Sequence, residues 1–117
     1  MDLRAITHRY YRAVDAGDVP GVLDWFADDA VYHRPGYEPM RGREALEVFY
    51  AGERVIESGS HRIDQLVVDT TSVAVRGVFS GRLKDGSVVE VGFADLIDYD
   101  ADGRARERHS YFDRPAV

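Results

Sequence analysis

At 117 residues, with 44% hydrophobic and 31% charged content, the chain suits one soluble domain that buries about two-thirds of its unfolded surface. A net charge of -6 opposes any phosphate backbone, so nucleic acid is not expected, and the lack of cysteine excludes disulfides, thiolate zinc sites and cysteine nucleophiles. No stretch approaches the ~18 apolar residues of a membrane span, and the opening MDLRAITHRYYRA alternates charge with apolar residues, so a cytoplasmic location without a membrane partner is expected.

The first half reads helical. Leu3, Ile6, Tyr10, Ala13 and Val14 recur at three- and four-residue spacing behind an N-cap at Asp2 and ahead of Gly17. Asp18 caps a second short helix with Pro20 in its first turn and Val22, Leu23 and Phe26 as its stripe. Ala30 to Arg34 predicts a brief strand, and Pro35 to Gly42 a rim loop. A third helix is predicted from Arg43 to Glu57, burying Leu46, Phe49 and Tyr50.

After Ser58-Gly59-Ser60 the pattern changes to strands, at His61–Asp69, Ser72–Leu83, Val88–Tyr99 and Arg104–Phe112. The breaks Asp69-Thr70-Thr71, Asp85-Gly86 and Asp102-Gly103 predict short hairpins, hence an antiparallel meander with the helices on one face. The chain is expected to be one domain, 1–117.

Several segments together resemble a known superfamily. They are His8-Arg9-Tyr10 through Val14-Asp15-Ala16-Gly17-Asp18, Phe26-Ala27-Asp28-Asp29-Ala30, Gly42-Arg43-Glu44 with Phe49-Tyr50, Phe93-Ala94-Asp95-Leu96, and Asp102-Gly103-Arg104 to Tyr111-Phe112. This set resembles the nuclear transport factor 2-like proteins, in their ketosteroid isomerase and SnoaL-like polyketide cyclase branch. The resemblance implies an α+β cone, in which a curved antiparallel sheet wraps three N-terminal helices around one pocket.

It also implies roles. Tyr10 stands where the isomerases keep a hydrogen-bond donor to the substrate oxygen, Asp95 where they keep a protonated acid, and Tyr50 where a tyrosine supports the first. Where they keep the proton-shuttling aspartate this chain has Arg34, which accepts no proton at physiological pH, so standard steroid Δ-isomerisation is not expected. Strand alternation then turns Tyr32 inward with Arg34, and Phe93 and Ile97 inward with Asp95, while the resemblance implies that Arg108, Ser110 and Phe112 face inward on the last strand. Phe26 and Leu46 complete the walls. An arginine beside Asp95 would keep it ionised, as an acceptor or general base, leaving Tyr10 and an arginine to polarise a carbonyl. Of the two arginines, Arg34 is expected to serve Asp95 rather than to grip an anionic ligand.

Other residues have plainer readings. Tyr10 and Tyr50 also fit a packed core, and Trp25 fits packing alone. His33 falls on the outer face, as does His109 unless a one-residue bulge turns it inward, while His61 opens a strand where several SnoaL-like proteins carry a histidine and is a candidate ligand contact. Asp98, Asp100, Asp102 and Gly103 imitate half of a calcium loop, but the required glutamate is His109 and the flanks are strands. The histidines, at 8, 33, 61 and 109, are scattered, and no glycine-rich phosphate loop occurs, so neither metal nor cofactor is expected.

The sequence thus predicts a cofactor-free acid–base enzyme acting on an apolar molecule that carries a carbonyl, enolate or carboxylate. Isomerisation, aldol-type cyclisation and dehydration all fit. The alternatives are a non-catalytic ligand-binding or dimerisation module, and an epoxide hydrolase-like enzyme, which the chain resembles at Tyr32 and Tyr111-Phe112-Asp113 but not at Arg34 and Phe93, where that family has an asparagine and an arginine. Val75, Phe79, Ala94 and Leu96 are expected on the sheet's outer face, inviting a sheet-to-sheet homodimer.

Overall fold

The computed structural model describes residues Met1–Val117. Helix α1 (Leu3–Asp15) begins where the Asp2 carboxylate accepts the Ala5 amide at 3.0 Å. Its buried face is Leu3, Thr7, Tyr10, Tyr11 and Val14. Gly17, at φ +70°, turns the chain, and Asp18 caps α2 (Val19–Trp25) through the Gly21 amide. Pro20 sits in the first turn, where a missing N–H costs no helical bond.

Strand β1 (Phe26–His33) follows directly, then β2 (Met40–Arg41), α3 (Gly42–Val48) and a π-helical turn over Phe49–Glu53. Four long strands complete the chain: β3 (Ile56–Asp69), β4 (Ser72–Leu83), β5 (Val88–Tyr99) and β6 (Ala105–Phe112). The sheet order is β2-β1-β6-β5-β4-β3. The expected meander is present from β3 to β6, with the three helices on its concave face. The Asp100-Ala101-Asp102-Gly103 corner is a hairpin turn in which the Asp100 carboxylate accepts the Asp102 and Arg104 amides.

Five details differ from the sequence-based expectation. Strand β1 begins at Phe26, expected in the α2 stripe, and ends at His33, one residue before Arg34. The sheet is mixed, because β1 runs parallel to β6 with Tyr32 opposite Arg108 and His33 opposite His109. The third helix stops at Val48, and the π-helical turn, closed by the Arg54 amide on the Phe49 carbonyl, buries Phe49 and Tyr50 together. Strand β3 starts at Ile56 because Ser58-Gly59-Ser60 pairs with Arg82-Gly81-Ser80 of β4. Glycine suits both strands there, since a Cβ at Gly59 or Gly81 would collide with the Phe79 ring. Finally, Val75 and Phe79 point inward: Val75 is the register partner of Asp95, and both are buried. Of the residues expected on the outer face, Ala94 is half-buried and Leu96 exposed, so that face is less apolar than alternation implied.

Candidate active site

The middle of the cone is a connected polar network built on Asp95 of β5, which is 1% exposed. Arg108 of β6 donates from Nη2 to Asp95 Oδ2 at 2.9 Å, Tyr11 of α1 donates to the same oxygen, and Ser110 donates to Oδ1 at 2.5 Å. The other arm of Arg108, Nη1, reaches the hydroxyls of Tyr10 (2.5 Å) and Tyr50 (3.0 Å), which bond each other at 2.7 Å. Its guanidinium lies between the Tyr10 and Tyr32 rings, at 4.4 and 4.5 Å from their centroids.

Proton bookkeeping fixes the direction of the remaining chain. Ser110 has one hydroxyl hydrogen, and the carboxylate takes it. Tyr32, 2.8 Å from Ser110 Oγ, must therefore donate to Ser110 and accept on its own oxygen. The donor to Tyr32 is Arg34 Nη1, at 3.1 Å. The order runs Arg34, Tyr32, Ser110, Asp95.

Electrostatics follow from this wiring. Burial alone would raise the Asp95 carboxyl, but the Arg108 charge and the hydrogen bonds from Arg108, Ser110 and Tyr11 outweigh it and hold its pKa below the ordinary value. Burial pushes the Tyr10, Tyr11 and Tyr50 hydroxyls above theirs, so all three stay protonated. Two guanidiniums and one carboxylate leave the interior with one surplus positive charge. It resides on Arg34, which is 9% exposed and held between the Phe49 and Phe112 rings at 5.3 and 5.0 Å. Its Nε and Nη2 have no hydrogen-bond partner.

A cavity of about 920 Å³ opens at the wide end of the cone. Phe112, Val55, Leu83 and Pro115 contribute apolar wall, and Arg54, Lys84 and Arg114 stand there beside acidic neighbours. Phe112 therefore has one contact on Arg34 and another on this cavity. Pro35 and Gly36, next to Arg34 in the chain, also line it. Tyr10, Asp95 and Arg108 do not.

These features belong to a recognised family. Residues 7–108 match the SnoaL-like domain. The chain belongs to that family. Its fold is shared with an NTF2-like protein of unknown function from Burkholderia pseudomallei, at TM-score 0.84 and 19% identity over 97% of this chain and 92% of that one. It is also shared with SalBIII, an epoxide hydrolase/cyclase-like enzyme described in pyran ring formation in the polyether salinomycin, at 0.83 and 19% over 94% and 89%. A protein from Catenulispora acidiphila with a ketosteroid isomerase-like fold, in complex with trimethylamine, aligns at 0.80 and 20% over 91% and 83%. At such identities the likeness establishes the fold.

Within this SnoaL-like chain, Tyr10, Tyr32, Tyr50, Asp95 and Arg108 converge in one network, and Arg34 joins it through Tyr32. The expected pairing of Arg34 with Asp95 is corrected: Arg108 is the ion-pair partner. The parallel β1–β6 register explains the exchange, since it sets Arg108 between Tyr32 and Asp95 across neighbouring strands. Phe26 packs between Tyr10, Tyr32 and Tyr50, and Phe93 between Tyr11 and His61.

His61 faces the concave side and is held by an acid absent from the sequence-based list. Its Nδ1 is 2.6 Å from Asp15 Oδ1, and its amide donates to Asp15 Oδ2 at 2.9 Å. In the neutral tautomer that donates Nδ1–H to Asp15, Nε2 carries the lone pair, on a ring packed among Tyr11, Phe79 and Phe93. Tyr11 was missed too. Helical arithmetic could have found it, since residues 7, 11 and 14 share one face.

Proposed function

We propose that this chain is a cofactor-independent small-molecule enzyme that performs acid–base chemistry on a mostly apolar ligand bearing a carbonyl, enolate or carboxylate oxygen. The observation that carries this reading is the surplus buried cation at Arg34. A buried guanidinium with two unpartnered nitrogens costs free energy unless something else binds there, and a planar anion engages both at once. Arg34 lines a small cavity of about 200 Å³ with Tyr37, Pro39 and Ser110, and the Phe112 ring stands between it and the larger cavity, so a ligand that displaces that ring would reach Arg34.

In this reading Arg34, braced by Tyr32, polarises the oxygen and stabilises the enolate that forms when a neighbouring C–H is deprotonated. His61, oriented by Asp15, is the base that takes the proton at Nε2 and returns it. Asp95 positions Arg108 and the tyrosines, because both its oxygens already accept hydrogen bonds and its pKa is depressed. Enolisation is the step shared by isomerisation, aldol-type cyclisation and dehydration.

The test uses 2-tetralone, an enolisable cyclic ketone, in D₂O, with exchange at its α-carbons followed by NMR. Exchange faster than buffer, and returned to the buffer rate by His61→Ala, is expected. A rate indistinguishable from buffer would favour the binding-module reading, which one observation already supports: the central network is closed by its own side chains. In that case 2-naphthoate, but not 2-naphthamide, should still raise the melting temperature, and Arg34→Met should abolish the rise.

A further inference from the structure

The convex face of the sheet carries a second cluster, which makes no hydrogen bond to the interior network although His33 and His109 line one small cavity with Arg34 and Ser110. His33 of β1 and His109 of β6 are register partners in the parallel pair. Their imidazole rings stack with centroids 4.0 Å apart and planes within 5°. Glu107 shares that face two residues before His109. Its carboxylate meets His33 Nε2 at 3.4 Å and His109 Nε2 at 3.8 Å, and it pairs with no arginine or lysine. Tyr32, Arg108 and Ser110 alternate with these residues and point the other way, into the cone.

Both Nε2 atoms and the carboxylate therefore face one another. Each Nε2 either carries a hydrogen facing Glu107 or, with the hydrogen on Nδ1, offers a lone pair. In the second tautomer a divalent metal engages both imidazoles and the carboxylate at once. Two imidazoles and one carboxylate make a donor set that suits zinc and its transition-metal neighbours, while magnesium and calcium prefer all-oxygen sets.

We propose that His33, Glu107 and His109 form a binding site for a divalent transition metal of the zinc class on the outer face of the sheet. The ligand atoms all lie within 4.8 Å of one another. Around a tetrahedral ion bound at ~2.1 Å, donors sit about 3.4 Å apart. To reach that spacing the imidazoles would rotate about their side-chain torsions out of the stack. The side chains are 31%, 42% and 37% exposed, so the ion has direct access and a fourth position stays open to water or to a group on another molecule. Adjacent register positions on paired strands hold the two histidines, and that rigidity keeps the entropy cost of assembling the site low.

The experiment is calorimetric titration of Zn²⁺ into the chelator-treated full chain at pH 7.5, with Co²⁺ absorption as a second readout. One Zn²⁺ per chain is expected, with visible Co²⁺ bands of a low-coordinate site that Zn²⁺ displaces. His33→Ala and His109→Ala should each weaken binding at least ~10-fold, since even loss of an outer-shell partner of a metal site costs that much. His8→Ala should bind as wild type does. Metal-free melts of each variant separate lost ligation from lost folding. No stoichiometric binding, or binding undiminished in folded His33→Ala and His109→Ala, would overturn the proposal.

Discussion

Arg108 and Asp95 form a fully buried ion pair, Nη2 to Oδ2 at 2.9 Å, while Arg34 stands two hydroxyls away with no carboxylate of its own. The two arginines of the interior thus have different work. One is the ion-pair partner of Asp95; the other is the arginine proposed to meet the ligand.

Removing the organiser's partner should be costly. Asp95→Asn leaves Arg108 as an unpaired buried cation beside Arg34, and the expected loss is about 3–5 kcal/mol in urea unfolding. Arg108→Met should cost a similar amount, and the double variant less than the sum, because each single change already strands the other partner. Additive losses would show that the pair is not coupled as its geometry requires.

The same pair sets an acid limit on stability. Asp95 titrates at 3.8 when unfolded and below that when folded, so the unfolded chain binds more protons in between. Its contribution is present above about pH 4 and fades as pH falls through the lower, folded value. Melting temperature followed from pH 5 downward should fall more steeply for wild type than for Asp95→Asn. Parallel curves would remove Asp95 as the cause.

Tyr11 donates to an ionised, buried carboxylate, and hydrogen bonds of that kind contribute about 1.5–3 kcal/mol. Tyr11→Phe should lower stability by that amount at pH 7 and shift the acid transition upward, because Asp95 loses one of the groups that depress its pKa. Tyr99→Phe offers a comparison: its hydroxyl bonds Thr7 at 2.6 Å, with burial, the main cause, raising its pKa to about 12. That change should cost about 1 kcal/mol with no movement of the acid transition. Matching acid profiles for the two variants would contradict the assignment.

His61 and Asp15 should act as a unit in the proposed exchange reaction. Asp15→Asn keeps the shape but cannot hold the imidazole in the same tautomer, so 2-tetralone exchange should fall at least ~100-fold, within the range a positioned base contributes. Unchanged exchange in Asp15→Asn would separate the acid from the chemistry.

Much of this was legible from residue patterns. Helix caps at Asp2 and Asp18, the stripe of α1 and the three hairpin turns are local signals, and local signals survive in a sequence. The inward set Tyr32, Asp95, Arg108 and Ser110 followed from strand alternation once one residue was anchored. What stayed hidden depended on pairing between distant segments. The parallel β1–β6 register decides which arginine meets Asp95 and brings His33 against His109, and no spacing along the chain encodes it. Val75 and Phe79 were turned the wrong way for the same reason: period two fixes alternation but not its phase. The Asp15–His61 contact joins a helix end to the concave face of β3, again a matter of tertiary packing.

The central claim is that Arg34 is held for a ligand and not for the fold, and urea unfolding of Arg34→Met at pH 7 tests it most directly. Methionine keeps the apolar stem between Phe49 and Phe112, and Tyr32 still donates to Ser110, so no buried group loses its only partner. The variant should match wild type within about 1 kcal/mol, the scale of the cation–π contacts removed, or exceed it. A loss comparable to that of Asp95→Asn would show that Arg34 supports the structure, contradicting its assignment as the ligand's anchor.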